Sequence, residues 1–174
     1  MDFSKISKGQ HVVYGTNGIC LVEDISEMAF PTGSEQKPYL ILRPLSDRGS
    51  TIYIPHDNEL LLSRMRPLLT KKEASALLNG DCAKSFLWNE DRKQRILAFK
   101  ACLSENDLAA LLPMIRCICQ KRDQLSEKNK KLSTADRELL SVAVKTVCDE
   151  LSFVLGDTHE SIAEALQSHL EIAL

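Results

Sequence analysis

The sequence predicts an α+β protein of two modules, a small antiparallel β barrel over residues 1–69 and an all-α helical bundle over residues 70–174. Through residue 69 the chain consists of short β-branched and aromatic runs separated by turn residues. After it, apolar positions recur at helical spacing and never return to alternation over a comparable length. Ser, Thr or Asp clusters stand before the later apolar stretches and supply the starts that helices need.

In the first module the predicted strands are HVVY (11–14), ICLVEDI (19–25), YLILR (39–43) and TIYIP (51–55), with a fifth around 63–68. Gly15-Thr16-Asn17-Gly18 joins the first two, and its glycines and asparagine offer the positive φ that a tight hairpin requires. Phe30-Pro31-Thr32-Gly33-Ser34 and Leu45-Ser46-Asp47-Arg48-Gly49-Ser50 punctuate the next two connections. Four or five strands of this length close a small barrel or a strongly bent sheet.

The second module predicts about five helices. Thr70-Lys71-Lys72-Glu73 is a capping box that opens a short helix ending near Asn79-Gly80. A second runs from Trp88 to Leu103, charged in its first turns and apolar later. Ser104-Glu105-Asn106-Asp107 caps a third through Ile118, which Pro113 is expected to kink or break. A polar, lysine-rich stretch over 120–131 precedes Ser133, whose helix carries the wide apolar stripe Leu139, Leu140, Val142, Ala143, Val147, Leu151 and Val154 and ends at Gly156. Asp157-Thr158-His159-Glu160 opens the last, with Ile162, Leu166 and Leu170 at fourfold spacing.

Composition bounds the function. At 174 residues the chain is too short for a large catalytic barrel, and it has no apolar run near the roughly 18 residues of a membrane helix. MDFSKISKGQ holds no apolar signal core, so the chain is expected in the cytoplasm with its six cysteines (Cys20, Cys82, Cys102, Cys117, Cys119, Cys148) as reduced thiols. The net charge of −2 conceals a basic block: residues 84–137 carry 12 Lys/Arg against 7 Asp/Glu, and residues 138–174 carry 1 against 7. Such a block can meet phosphates locally, while the acidic tail would blunt non-specific DNA binding.

No catalytic constellation is visible. Cys117 and Cys119 lie two apart in a helical pattern and face different sides, and no His partner has zinc spacing, so no metal and no cofactor are expected. His11, His56, His159 and His169 are scattered, and the paired carboxylates Glu23-Asp24 and Glu90-Asp91 diverge as neighbours do. Gly15-Thr16-Asn17-Gly18 lacks the Gly-Lys-Ser/Thr of a phosphate loop. A binding protein is expected, not an enzyme.

Trp88, the only tryptophan, carries two readings. Beside a polar first turn it can be a hydrophobic staple that closes a helix onto its neighbour. With Arg92, Lys93 and Arg95 close by, it can also be a wedge at a nucleic-acid surface, where apolar side chains open base steps and cations hold phosphates.

Gly9-Gln10-His11-Val12-Val13-Tyr14-Gly15-Thr16-Asn17-Gly18, followed by Tyr39-Leu40-Ile41-Leu42 and Thr51-Ile52-Tyr53-Ile54-Pro55, resembles the N-terminal module of the CarD-type bacterial transcription regulators. That module is similar to the polymerase-interacting domain of transcription-repair coupling factor, a Tudor-like β barrel. The rest resembles the family's helical domain: a lone Trp opening a basic helix, a Ser-x-x-Asp cap at Ser104 and Asp107, and a helix entered by Ser133 and closed near Leu155.

The resemblance implies a protein that bridges RNA polymerase and promoter DNA. Its β module would dock on the polymerase β subunit by strand-edge contacts, with Met28, Arg43 and Tyr53 as docking candidates. Its helical domain would face the minor groove at the upstream edge of the transcription bubble. There Trp88 matches the wedge, Lys93 and Arg137 fall near basic positions of relatives, and Arg92 and Arg95 accompany them. Such a protein stabilises the promoter open complex. The alternative is an interaction adaptor that binds polymerase without touching DNA, and a domain-swapped dimer through the β module is open to either.

Overall fold

A computed structural model describes residues 6–29, 35–47, 49–80 and 85–173. The chain divides into two compact units, Met1–Leu68 and Leu69–Leu174.

The first unit is a five-stranded antiparallel sheet in the order β4-β3-β2-β1-β5, the architecture of a Tudor-like β domain. The strands are β1 (His11–Tyr14), β2 (Ile19–Met28), β3 (Lys37–Pro44), β4 (Ile52–Pro55) and β5 (Met65–Pro67). A short helix, α1 (Glu59–Leu62), is capped by the Asn58 side chain and leads into β5. Gly15 and Gly18 take φ of 47° and 68° in the β1–β2 turn, the conformation for which glycine suits that connection. β2 runs three residues beyond its predicted end, and Ser26, Glu27 and Met28 pair with Tyr39, Pro38 and Lys37. A register shift between Val22 and Asp24 puts Glu23 in a bulge, which bends the long β2–β3 ladder. The core is Val12, Cys20, Val22, Leu40, Leu42 and Ile54, all fully buried, with Ile6, Tyr14, Leu62 and Met65 around them.

The second unit contains α2 (Lys71–Leu78), α3 (Arg92–Glu105), α4 (Leu108–Ser126), α5 (Thr134–Leu155) and α6 (His159–Leu170). The capping box at Thr70 and Glu73 is formed, with each side chain bonded to the other's backbone N–H. Ser133 and Thr158 cap α5 and α6 through their hydroxyls, and Gly156 ends α5 at φ 75°. α4 runs unbroken through Pro113 and extends to Ser126, so only residues 127–131 of the expected polar gap lie outside helices. Phe99, Leu111, Leu112, Ile115, Ile118, Val147 and Leu151 centre one core built from α2 to α6.

The largest difference from expectation is the start of α3, which begins at Arg92 and not at Trp88. Asp91 is the N-cap: its carboxylate accepts the backbone N–H of Lys93 and Gln94 at 2.8 and 3.0 Å, while its own N–H donates to Asn89 Oδ1 at 2.9 Å. Residues 85–89 are therefore irregular. The staple positions flanking this cap are Glu90 and Arg95, so Trp88 is not a staple in that sense.

The five cysteines among the described residues are all buried and unbridged. Cys82 lies outside the described residues. No helix among them is long and apolar enough to cross a membrane.

Candidate functional site

In the helical unit the Trp88 segment is organised by its neighbours. Phe86 and Trp88 are half-buried and turn inward, their ring centroids 5.3 and 6.1 Å from that of Phe99 on α3. Leu87 between them is 83% exposed. The inner partner, Phe99, is fully buried, so the two aromatic side chains are anchored to a fixed point of the core.

Arg95 joins this segment to α5. Its Nε and Nη2 donate to the two carboxylate oxygens of Asp136 at 3.0 Å each, and its Nη1 donates to the carbonyl of Asn89 at 2.7 Å. Its guanidinium carbon stands 4.1 Å from the Trp88 ring centroid, a cation–π contact. Asp136 completes its bonding with the Ser133 hydroxyl at 2.6 Å. Burial pushes the Asp136 carboxyl up, but hydrogen bonds from Arg95 and Ser133 and the charges of Arg95 and Arg92 outweigh it and hold it below the usual value of 3.8. Arg95 is 6% exposed and Asp136 1%. The expectation that Arg95 meets DNA is thus corrected: all three of its nitrogens donate inside the protein, because it shares the buried face of α3 with Phe99 and Cys102.

Arg92 and Lys93 are exposed in the first turn of α3, and Arg137 in the first turn of α5, where it donates to Thr134 Oγ1 at 3.3 Å. The Arg95–Asp136 pair brings these two helix starts together, and the charge of Arg92 reaches Asp136. Lys121 of α4 is a residue that sequence reasoning missed. Its ammonium lies 5.4 Å from the Trp88 ring centroid and 2.6 Å from Glu90 Oε1. That ammonium holds the Glu90 carboxyl below its ordinary range. One of the two acids following Trp88 is therefore neutralised by Lys121 and the other caps α3.

In the β unit, Arg43 and Tyr53 come together. Tyr53 pairs directly with Ile41, two residues from Arg43 on the same side of β3, and the three line a shallow depression with Lys8, Glu23 and Thr51. Arg43 grips both Glu23 oxygens, one through Nε at 3.2 Å and the other through Nη2. The bulge at Glu23 sits directly where this pair forms. Met28 shares the face by alternation, yet it pairs with Lys37, six residues or about 20 Å along β3 from Arg43. Tyr53 lies on β4, an edge of the sheet. An edge strand offers unpaired backbone groups to an added strand.

No group of three or more His, Cys, Asp or Glu able to hold a metal occurs among the described residues. Residues 6–67, which contain all five strands, match the CarD-like/TRCF RID domain. Comparison with curated proteins gives no match.

Proposed function

The N-terminal unit of this chain is a CarD-like RNA polymerase-interacting domain, and from it we propose that the protein is a transcription regulator that docks on the polymerase β subunit and stabilises the promoter open complex through its helical unit. The domain match carries the polymerase half of this reading. Arg43 and Tyr53 beside the β4 edge are its docking residues, with Met28 at the far end of the same face.

The DNA half is supported by the constellation around Trp88. Arg92, Lys93 and Arg137 present three exposed cations from two helix starts held together by a buried ion pair. Next to them a large indole is fixed by Phe99 and Arg95 instead of swinging freely. Phosphate contacts position such a protein, and an apolar side chain at a distorted step adds a few kcal/mol against unstacking. A protein that binds the open complex more tightly than the closed one shifts the equilibrium by that difference alone. Tethering to polymerase raises the local concentration, so weak DNA contacts suffice. The protein acts here by binding, without turnover of a substrate.

A second reading, a polymerase-binding adaptor without DNA contact, is favoured by the half-burial of Trp88 among Phe99, Arg95 and Lys121. The two separate in one experiment: the lifetime of a promoter open complex with cognate polymerase, measured without protein, with wild type, and with Arg92→Glu/Lys93→Glu. These exposed residues can be reversed without disturbing the core. A lifetime lengthened by wild type and restored to the basal value by the variant supports the regulator. A variant as effective as wild type refutes DNA contact at this helix start, and polymerase binding without any change in lifetime leaves the adaptor.

A further inference from the structure

We propose that a trough along α5 in the helical unit binds an amphiphilic anion, a small molecule with one anionic head and an unbranched apolar body of about ten carbons. The site goes beyond the transcriptional reading and shares only Arg137 with it.

The trough has a volume of about 780 Å³, within the range of small-ligand sites. Arg137, Leu140, Ser141, Val144, Lys145 and Cys148 line it at i, i+3, i+4 and i+7 spacings, so it follows the axis of α5. Leu132, before α5, and Ala163 of α6 add to its apolar lining.

Its charge is uneven along this axis. At the N-terminal end of α5 stand Lys130, Lys131 and Arg137, all exposed. Among the described residues Lys130 and Lys131 have no carboxylate partner, and Arg137 contacts only the neutral Thr134 hydroxyl. Arg122, on the same rim, is already held by Asp123 at 3.0 Å and the Ala173 carbonyl at 2.6 Å. At the other end Asp149 takes both Lys145, at 2.6 Å, and His159, at 3.2 Å, and Glu160 adds a further negative charge. Uncommitted positive charge is thus confined to one end, and Leu140, Val144 and Cys148 lead away from it.

That polarity selects the ligand. A nucleic-acid strand repeats its charge along its whole length, and its hydrated phosphates gain nothing from an apolar floor. A purely apolar body would leave three cations facing it. A head-and-tail anion satisfies both ends. Leu140 to Cys148 covers eight residue steps, about 12 Å of helix. A zigzag hydrocarbon of ~1.5 Å bonds advances about 1.25 Å per carbon, so about ten carbons fill the track.

The test is calorimetric titration of the full chain with n-alkyl carboxylates from octanoate to tetradecanoate, each below its micelle concentration. Dodecanol, dodecyltrimethylammonium and vesicles of anionic phospholipid serve as comparisons. Affinity is expected to rise about fourfold per methylene, the conversion of ~0.8 kcal/mol, and to level off near ten to twelve carbons. Lys130→Glu/Lys131→Glu, at exposed positions, is expected to lower affinity at least tenfold with an unchanged melting curve, and Val144→Glu to abolish it. Binding without chain-length dependence, equal binding of the cationic surfactant, or indifference to the lysine variant overturns the proposal. Binding to vesicles with none to monomeric carboxylate overturns it in favour of a membrane surface.

Discussion

Replacing Arg95 by Met removes one partner of a bidentate pair whose other member, Asp136, is 1% exposed. The carboxylate is left buried with the Ser133 hydroxyl and no directly paired counter-charge, and breaking a buried pair from one side costs about 3–5 kcal/mol. The lost bond to the Asn89 carbonyl and the lost cation over the Trp88 ring belong to the same event, so they are not added separately. With an unfolding entropy of about 2.1 cal/mol/K per residue, a helical unit of this size shifts its midpoint by about 4–5 °C per kcal/mol. The expected fall is therefore about 14–23 °C. The sole tryptophan lies in this unit and beside the substituted side chain, so its fluorescence reports the transition of that unit alone within a two-unit chain. The double variant Arg95→Met/Asp136→Leu removes both charges and is expected to recover most of the loss. A single-variant loss below about 1 kcal/mol, the value of an exposed ion pair, would refute the claim that this pair holds the Trp88 segment in place.

The pH dependence of the same pair has a definite sign. Asp136 is held below its ordinary value of 3.8, so its stabilising contribution is complete above that pH and declines as pH falls through the lowered value. Acid titration followed by Trp88 fluorescence should show this, with the dependence reduced in Arg95→Met/Asp136→Leu to that left by other carboxylates such as Glu90. At Gly80 the backbone φ is 98°, and an added Cβ would come within 2.2 Å of the His169 ring, so Gly80→Ala is expected to destabilise the helical unit by at least 1 kcal/mol in denaturant titration. The Cys20 and Cys148 thiols are pushed up to about 11 by burial, and both should react with a thiol reagent at pH 8 only at the rate of unfolding. On the docking face, Tyr53→Ala together with Arg43→Ala should weaken polymerase binding at least tenfold in a pull-down titration while the melting of the helical unit is unchanged.

The strands and most helices were legible because their signals are local. HVVY over 11–14 is β1 residue for residue, and the Thr70–Glu73 box and the Ser133 hydroxyl cap the helices they announce. The end of β2 was not legible: Ser26 and Glu27 have no strand preference and are held there by the partner strand β3. Asp91 read as one of two adjacent carboxylates, yet a cap and a charge look alike until the helix start is known. Arg95 illustrates a signal that was present and outweighed. Grouped with Arg92 and Lys93 it looks like part of a basic face, but Arg95, Phe99 and Cys102 stand at i, i+4 and i+7, a single stripe, and that stripe is buried. Its partner Asp136 lies 41 residues away, beyond any local pattern, and Lys121 reaches Trp88 from a third helix for the same reason.

This arrangement also explains how a chain with net charge −2 can carry a DNA-directed surface on the proposed reading. An autonomous DNA binder relies on many cations, and its affinity collapses with salt roughly in proportion to their number. Here Arg95 is withdrawn into the core and Lys121 is matched by Glu90, which leaves Arg92, Lys93 and Arg137 as the exposed cations of the two helix starts that the Arg95–Asp136 pair joins. Three phosphate contacts give a shallow salt slope of about −2.7 in logarithmic terms. A regulator tethered to polymerase needs no more, because its DNA contacts are made at high local concentration and only their difference between closed and open complexes matters. The salt dependence of the open-complex lifetime, with the intrinsic dependence of polymerase subtracted, is therefore expected to stay near this slope and to fall by about one unit for each of the three cations replaced by Gln. A slope near −6 or steeper would mean that the basic block as a whole, and not this cluster, meets the phosphates.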